Sequence, residues 1–153
     1  LRFGRPSWPI VIPDTMPFVI GKGILMQEGT DVTIIATGHL VAYAMEAVEK
    51  LKEQGISAEL INIHTIKPLD EEIILDSVSK TRCVVTAEEH QRNGGLGDSV
   101  AQLLARKNPT PQEYVAVNDS FGESGTPDQL LLKYGLGPTN IIDAAKDVLK
   151  GKR

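Results

Sequence analysis

Asp31-Val32-Thr33-Ile34-Ile35-Ala36-Thr37 is followed at once by Gly38 and then by Leu40–Gln54. The first stretch is a short β-branched run without alternation, the pattern of a strand covered on both faces. Gly38 turns the chain. Val41, Ala44, Met45, Val48 and Leu51 then recur at the spacing of one helix face, and Gly55 sits where a helix end calls for a left-handed residue. A buried strand, a turn and an amphipathic helix make half of a βαβ unit, and the remaining sequence repeats the unit. Ser57–Ile63 is a second apolar strand. Asp70 stands as N-cap before Glu71 and Glu72, which favour a helix first turn. Arg82–Ala87 is a third buried run, Leu96, Val100, Leu103 and Leu104 mark a helix, and Glu113–Val117 is a further strand. Thr126-Pro127-Asp128-Gln129 has capping-box spacing with proline at N1, giving a helix to Tyr134. Ile141, Ile142, Ala145, Val148 and Leu149 form the last helix, which Gly151 stops. With Gly23–Glu28 as one more strand, the expectation is α/β: a three-layer α/β/α sandwich around a mostly parallel five-stranded sheet. Ligands of such sheets sit at the carboxyl ends of the strands, which singles out residues 37–39, 64–68, 88–97 and 118–125.

Residues 1–22 differ. Pro6, Pro9, Pro13 and Pro17 forbid a helix, and Trp8, Ile10, Val11, Phe18 and Ile20 offer apolar anchors that a flexible linker would lack. The segment is expected to be the end of a preceding domain, with Leu1–Pro6 as a strand end and its turn, followed by an interdomain linker with a defined path that leads into a domain over 23–153. The chain begins with Leu1, and we take it as a piece of a longer protein.

The 153 residues suffice for one full core. A hydrophobic share of 41% beside 24% charged residues is that of a soluble globular domain. The net charge of −4, with no basic run beyond Lys150–Arg153, argues against nucleic acid or an anionic membrane as partner. No apolar run approaches a membrane span of ~18 residues. The lone Cys83 excludes an internal disulfide, and its apolar neighbours suit a buried thiol in a reducing cytoplasm.

The densest polar cluster is Glu88-Glu89-His90-Gln91-Arg92-Asn93-Gly94-Gly95-Leu96-Gly97. It lies where a strand ends and a helix begins, so its glycines allow close backbone approach and the helix N-terminus offers free N–H groups to an anion. It matches neither the dinucleotide fingerprint nor a Walker sequence. The favoured reading of Glu88, Glu89, His90, Gly94 and Gly95 is a polar loop at a domain or subunit contact, not a catalytic centre. His39, His64 and His90 lack metal-ligand spacing. Of the three, His90 is the best acid–base candidate, because the adjoining carboxylates would raise its pKa. Arg2 and Arg5, on a rigid extended segment, suit either a phosphate clamp or a solvated surface.

Several segments together resemble the C-terminal domain of the transketolase-type thiamine diphosphate enzymes. They are Leu1–Ser7, Glu28–Gly38, Thr65–Asp70, Glu88–Gly97, and Phe121–Pro127 with Tyr134-Gly135-Leu136, in order over nearly the whole chain. Deoxyxylulose phosphate synthases and 2-oxoacid dehydrogenase beta subunits share the Lys67-Pro68-Leu69-Asp70 feature. Phe121-Gly122-Glu123-Ser124-Gly125 and Arg5-Pro6 look more like transketolase, including those encoded as two subunits. The resemblance implies two-carbon ketol transfer between sugar phosphates. It also implies thiamine diphosphate with Mg2+ or Ca2+ held by upstream domains or an N-terminal subunit, in a homodimer or heterotetramer, with no cofactor bound by this domain alone. It implies that Arg5 binds the sugar phosphate, that no catalytic or metal-binding residue lies here, and that Gly94, Gly95 and Gly97 are structural. A non-catalytic assembly or regulatory module is the alternative of another class.

Overall fold

The β-branched run forms β2 (Val32–Ala36), every residue of which is buried. The structure, a computed structural model, describes Gly4 and residues 7–151. Around β2 lie β1 (Ile24–Gln27), α1 (Leu40–Glu53), β3 (Ala58–Asn62), α2 (Glu71–Thr81), β4 (Val84–Gln91), α3 (Leu96–Lys107), β5 (Gln112–Val117), α4 (Pro127–Lys133) and α5 (Pro138–Lys150). The sheet order is β1-β3-β2-β4-β5, and β1 alone runs antiparallel, pairing Ile24 with Asn62 on β3. The expected mostly parallel five-stranded sandwich is what forms.

Strand periodicity divides the core between two faces. Ile34 and Ala36 of β2, with Val85 and Ala87 of β4, pack against Leu40, Ala44, Val48 and Leu51 of α1 and Ile141, Ala145 and Val148 of α5. Ile35, Ile61 and Val84 meet Ile74 and Val78 of α2 and Val100 and Leu103 of α3 on the other face. Each fully buried aliphatic side chain contributes about 1.5–3 kcal/mol. Between β2 and α2 the buried hydroxyls satisfy one another: the Thr33 hydroxyl lies 2.6 Å from those of Ser77 and Thr81. Cys83 is buried, as expected, and its thiol donates to the Asp31 carbonyl at 3.3 Å.

Four local expectations change. Met45, placed on the inner face of α1, is 39% exposed, and Leu40 and Ala47 are buried instead. Asp70 occupies the N-cap of α2 without capping it. Its carboxylate accepts from the Gly23 amide at 2.9 Å and from Lys22 at 3.4 Å, tying the start of β1 to α2. Of the anchors in the proline-bearing segment, Trp8 and Val11 pack on the core, whereas Ile10 and Ile20 point to solvent at 90% and 74% exposure. Finally, β4 does not stop at Ala87 but runs on through Gln91.

The capping box at Thr126 forms as read. The Gln129 amide donates to the Thr126 hydroxyl at 3.4 Å, and the Thr126 amide donates to Gln129 Oε1 at 3.2 Å. Thr126→Ala is expected to cost about 1 kcal/mol, seen as a lower denaturant midpoint at unchanged slope. An unchanged midpoint would mean that this helix needs no cap.

Candidate functional site

The carboxyl ends of the parallel strands form one edge of the domain. There the chain places His39 after β2, His64 after β3, Glu88–Gln91 on β4, and the Asn118–Gly125 loop after β5. Because β4 continues past Ala87, Glu88 and Glu89 obey strand alternation and face opposite ways. Glu88 turns towards α3 and is 2% exposed. Its two oxygens accept from the Leu96 and Gly97 amides, both at 2.8 Å. The anion site at the α3 N-terminus therefore exists, and a carboxylate of the same chain fills it. This explains the glycines that the sequence could only count. A Cβ at Gly95 would overlap the Glu88 carboxylate, and one at Gly97 would overlap the Tyr114 ring. Gly94 turns with φ +84°, and its amide donates to Asp98 Oδ2 at 2.6 Å.

Glu89 turns to the α1 face, where its Oε2 lies 2.7 Å from His39 Nδ1. The expected pairing of both carboxylates with His90 is thus not the arrangement found. His90 is exposed and its Nδ1–H donates to the Gln91 carbonyl at 2.8 Å. The physical reason is the two-residue period, which sends neighbours in sequence to different faces. The histidine that gains a carboxylate is His39, which the sequence ranks behind His90.

The proline-bearing segment lies along this edge. The Trp8 ring stacks on His39 at 4.5 Å between centroids, and its indole N–H donates to the His39 carbonyl at 3.1 Å. Phe18 meets the His64 ring at 4.4 Å. His64 Nδ1 is 2.9 Å from the Thr65 hydroxyl, and its Nε2 is enclosed with no partner among the described residues. Beside the α3 start, Arg92 lies 4.8 Å over Tyr114. Burial, with Asp98 nearby, pushes the Tyr114 hydroxyl above its ordinary pKa, keeping it neutral at physiological pH. After β5, the Ser120 and Phe121 carbonyls accept from Gln91 Nε2 and the Tyr134 hydroxyl, both at 3.0 Å. The Phe121 side chain is 97% exposed.

A family model described as "Transketolase, C-terminal domain" matches residues 21–141. The chain belongs to the transketolase C-terminal domain family. A 6-deoxy-6-sulfo-D-fructose transketolase subunit, SqwH, of Clostridium sp. (strain MSTE9) is 49% identical over 135 residues, covering 88% of this chain and 42% of the relative. A 1-deoxy-D-xylulose-5-phosphate synthase 1 of Geobacter sulfurreducens (strain ATCC 51573 / DSM 12127 / PCA) is 40% identical over 135 residues, 87% of this chain and 21% of that one. A solved structure described as a split gene transketolase, inactive beta4 tetramer, superimposes with a TM-score of 0.94 at 43% identity. It covers 98% of this chain and 49% of that chain. The chain thus spans less than half the length of these relatives.

Within this transketolase C-terminal domain, Glu88 is held by two amides and Glu89 by an imidazole, so neither is a free general base. Among the described residues no three His, Cys, Asp or Glu side chains gather to hold a metal ion. No helix among them is long and apolar enough to cross a membrane. Arg2 and Arg5 lie outside the described residues.

Proposed function

We propose that this chain is the C-terminal part of a transketolase that moves two-carbon ketol units between sugar phosphates. The supporting observation is the family match over residues 21–141, joined to relatives named as transketolase subunits. Thiamine diphosphate and a divalent ion, Mg2+ or Ca2+, then belong to preceding domains of the same polypeptide or to an N-terminal partner subunit, which this chain completes as a homodimer or heterotetramer. When bound there, the cofactor supplies the carbanion chemistry. Residues 1–22 are the linker from that part, and the enzyme works in the cytoplasm on the sugar phosphates of the pentose phosphate pathway.

This chain's contribution to substrate is Arg5, whose guanidinium fits a terminal phosphate with two parallel charge-assisted hydrogen bonds. Holding that end restricts where the reacting end can lie. The Clostridium relative is named for a sulfo sugar, and a sulfonate would be held by the same fork. In the complete enzyme, Arg5→Ala is expected to raise KM for phosphorylated sugars about 10- to 100-fold, the equivalent of a charged hydrogen bond of ~1.5–3 kcal/mol. Unchanged kinetics would sink the phosphate role. The Geobacter relative supports a second reading as part of a deoxyxylulose phosphate synthase. Turnover of pyruvate with glyceraldehyde phosphate, and none of a ketose with an aldose phosphate, would replace the first reading by the second. Turnover of neither pair would favour a non-catalytic assembly or regulatory module.

A further inference from the structure

The two edges of the sheet are finished differently. β1 is four residues long, and its pairing with β3 is irregular between Leu25 and Gln27. Short length and a bulge both blunt an edge against further strands. β5 is longer and holds no proline, glycine or lysine. Its hydrogen bonds to β4 fix its backbone parity. The Val84 amide donates to the Pro111 carbonyl and the Arg92 amide to the Val117 carbonyl, so the odd-numbered residues face β4. Gln112, Tyr114 and Ala116 turn their N–H and C=O groups outward, where no described residue meets them. Their neighbour Val115 is already packed in the core with Ile141 and Ala145 of α5. What β5 leaves open is therefore its backbone edge.

A groove of about 250 Å3 lies beside that edge, lined by Tyr114, Val115 and Ala116 of β5 and by Asn140, Ala144 and Asp147 of α5. The three α5 residues stand at i, i+4 and i+7, one stripe of the helix. Asn140 Oδ1 accepts from the Gly137 amide at 3.2 Å, so its NH2 group is left over as a donor. Asp147 Oδ1 accepts from Lys150 at 2.7 Å, so its Oδ2 is left over as an acceptor. A donor, a small residue and an acceptor in this order match the same stripe run backwards. The strand has the same property. Reversed about Val115, it sets Tyr114 against Ala116 and Glu113 against Val117, large against small and with no like charges opposite.

We propose that the β5 edge is an interface with a second copy of this chain. The two β5 strands pair antiparallel about a two-fold axis at Val115, joining the two sheets into one. Tyr114 exchanges both backbone hydrogen bonds with Ala116 of the second copy, and Ala116 with Tyr114 of the second copy. On the α5 face the two stripes meet at Ala144, and each Asn140 donates to Asp147 of the second copy. Val115 and Ala144 line one groove, so a single axis serves strand and helix. Any extended segment can make the backbone bonds. A second copy also brings the small residue opposite Tyr114 and the carboxylate opposite Asn140. The interface does not depend on which reaction the complete protein catalyses.

The test is made on the complete protein by cysteine cross-linking and by amide exchange. Val115 faces Val115 of the second copy as a non-hydrogen-bonded pair, with Cα atoms about 4.5 Å apart, within reach of a disulfide. Val115→Cys is therefore expected to form a covalent dimer on mild oxidation. Glu113→Cys, more exposed but about 13 Å from its copy, should not, and the parent with its buried Cys83 should not. In the parent, the Tyr114 and Ala116 amides are expected to exchange about 100-fold more slowly than free amides. Asp147→Arg, at an exposed site, should speed both about tenfold by opposing a cation to the Asn140 NH2 group. If Val115→Cys fails to fold, these two amides and their response to Asp147→Arg decide. Free exchange at both amides, or equal cross-linking of the two cysteine variants, overturns the interface. Protection that ignores Asp147→Arg, without a Val115→Cys dimer, gives the edge to another part of the enzyme and overturns it too. Absence of ketol transfer in the same protein would refute the reading of the reaction and leave this interface standing.

Discussion

Glu88→Ala is expected to destabilise the protein by about 3–5 kcal/mol, the cost of emptying a buried charged site with partners left behind. Glu88 is 2% exposed and accepts from the Leu96 and Gly97 amides at 2.8 Å. Those amides are orphans of the α3 N-terminus, with no intrahelical acceptor. Removing the carboxylate leaves them buried without a partner, removes a negative charge from the positive end of the helix, and opens a cavity. In a domain of this size the melting temperature should fall by about 6–15 °C. A loss below about 0.5 kcal/mol would show that water or a neighbour replaces the carboxylate at no cost. Gly95→Ala provides a cross-check. Its Cβ would overlap the carboxylate, so in the parent protein it should be severely destabilising. With Glu88 already cut back to alanine the obstacle is gone, and the two effects should be less than additive by roughly 1–3 kcal/mol. Strict additivity would mean that the glycine answers to something other than Glu88.

The second large effect is expected at Gly29, between β1 and β2. A Cβ there would overlap the Ala58 carbonyl carbon and the Glu59 nitrogen, which are backbone atoms of β3. Strand β3 cannot yield, because it is paired with β2 on one side and β1 on the other. The loop must move instead. That strains the Thr30 and Asp31 amides, which donate to the Ser57 carbonyl at 3.1 and 2.8 Å. It also strains the Gly29 amide, which donates to Glu59 Oε2 at 3.3 Å. Glu59 is itself buried and bound to Lys80 at 2.6 Å. Gly29→Ala is therefore expected to cost about 3–5 kcal/mol. Gly55→Ala is the control: its φ is +78° but nothing lies within 4 Å of the added methyl. It should cost only the left-handed penalty of about 1–2 kcal/mol. Equal losses at the two positions, by denaturant unfolding, would show that overlap with β3 is relieved by small shifts.

Both positions lie beyond the reach of local sequence rules. The β-branched run at 31–37, the helical spacing over 40–54 and the capping box at Thr126 each report a local preference, and each element forms where it was read. Local rules extend a few residues, which is the range over which strands alternate and helices repeat. The end of β4 is not legible locally, because Glu88-Glu89-His90 is polar and polarity in a strand resembles a loop until the groups that meet it are known. His90 drew attention through adjacency to two carboxylates. The fold instead gave one carboxylate to α3 and the other to His39.

What the sequence alone determined is the α/β class, the strand and helix order, the buried strands, and the family resemblance that the match over 21–141 bears out. Those follow from hydrophobic period and short motifs, which do not depend on distant partners. Only the tertiary structure decided that Glu88 occupies the α3 N-terminus, that Gly95 and Gly29 are required by what lies across from them, and that Trp8 rests on His39. Each is a contact between residues far apart in the chain, and the free energy of a buried polar group is set by its partner in space, which no local pattern encodes.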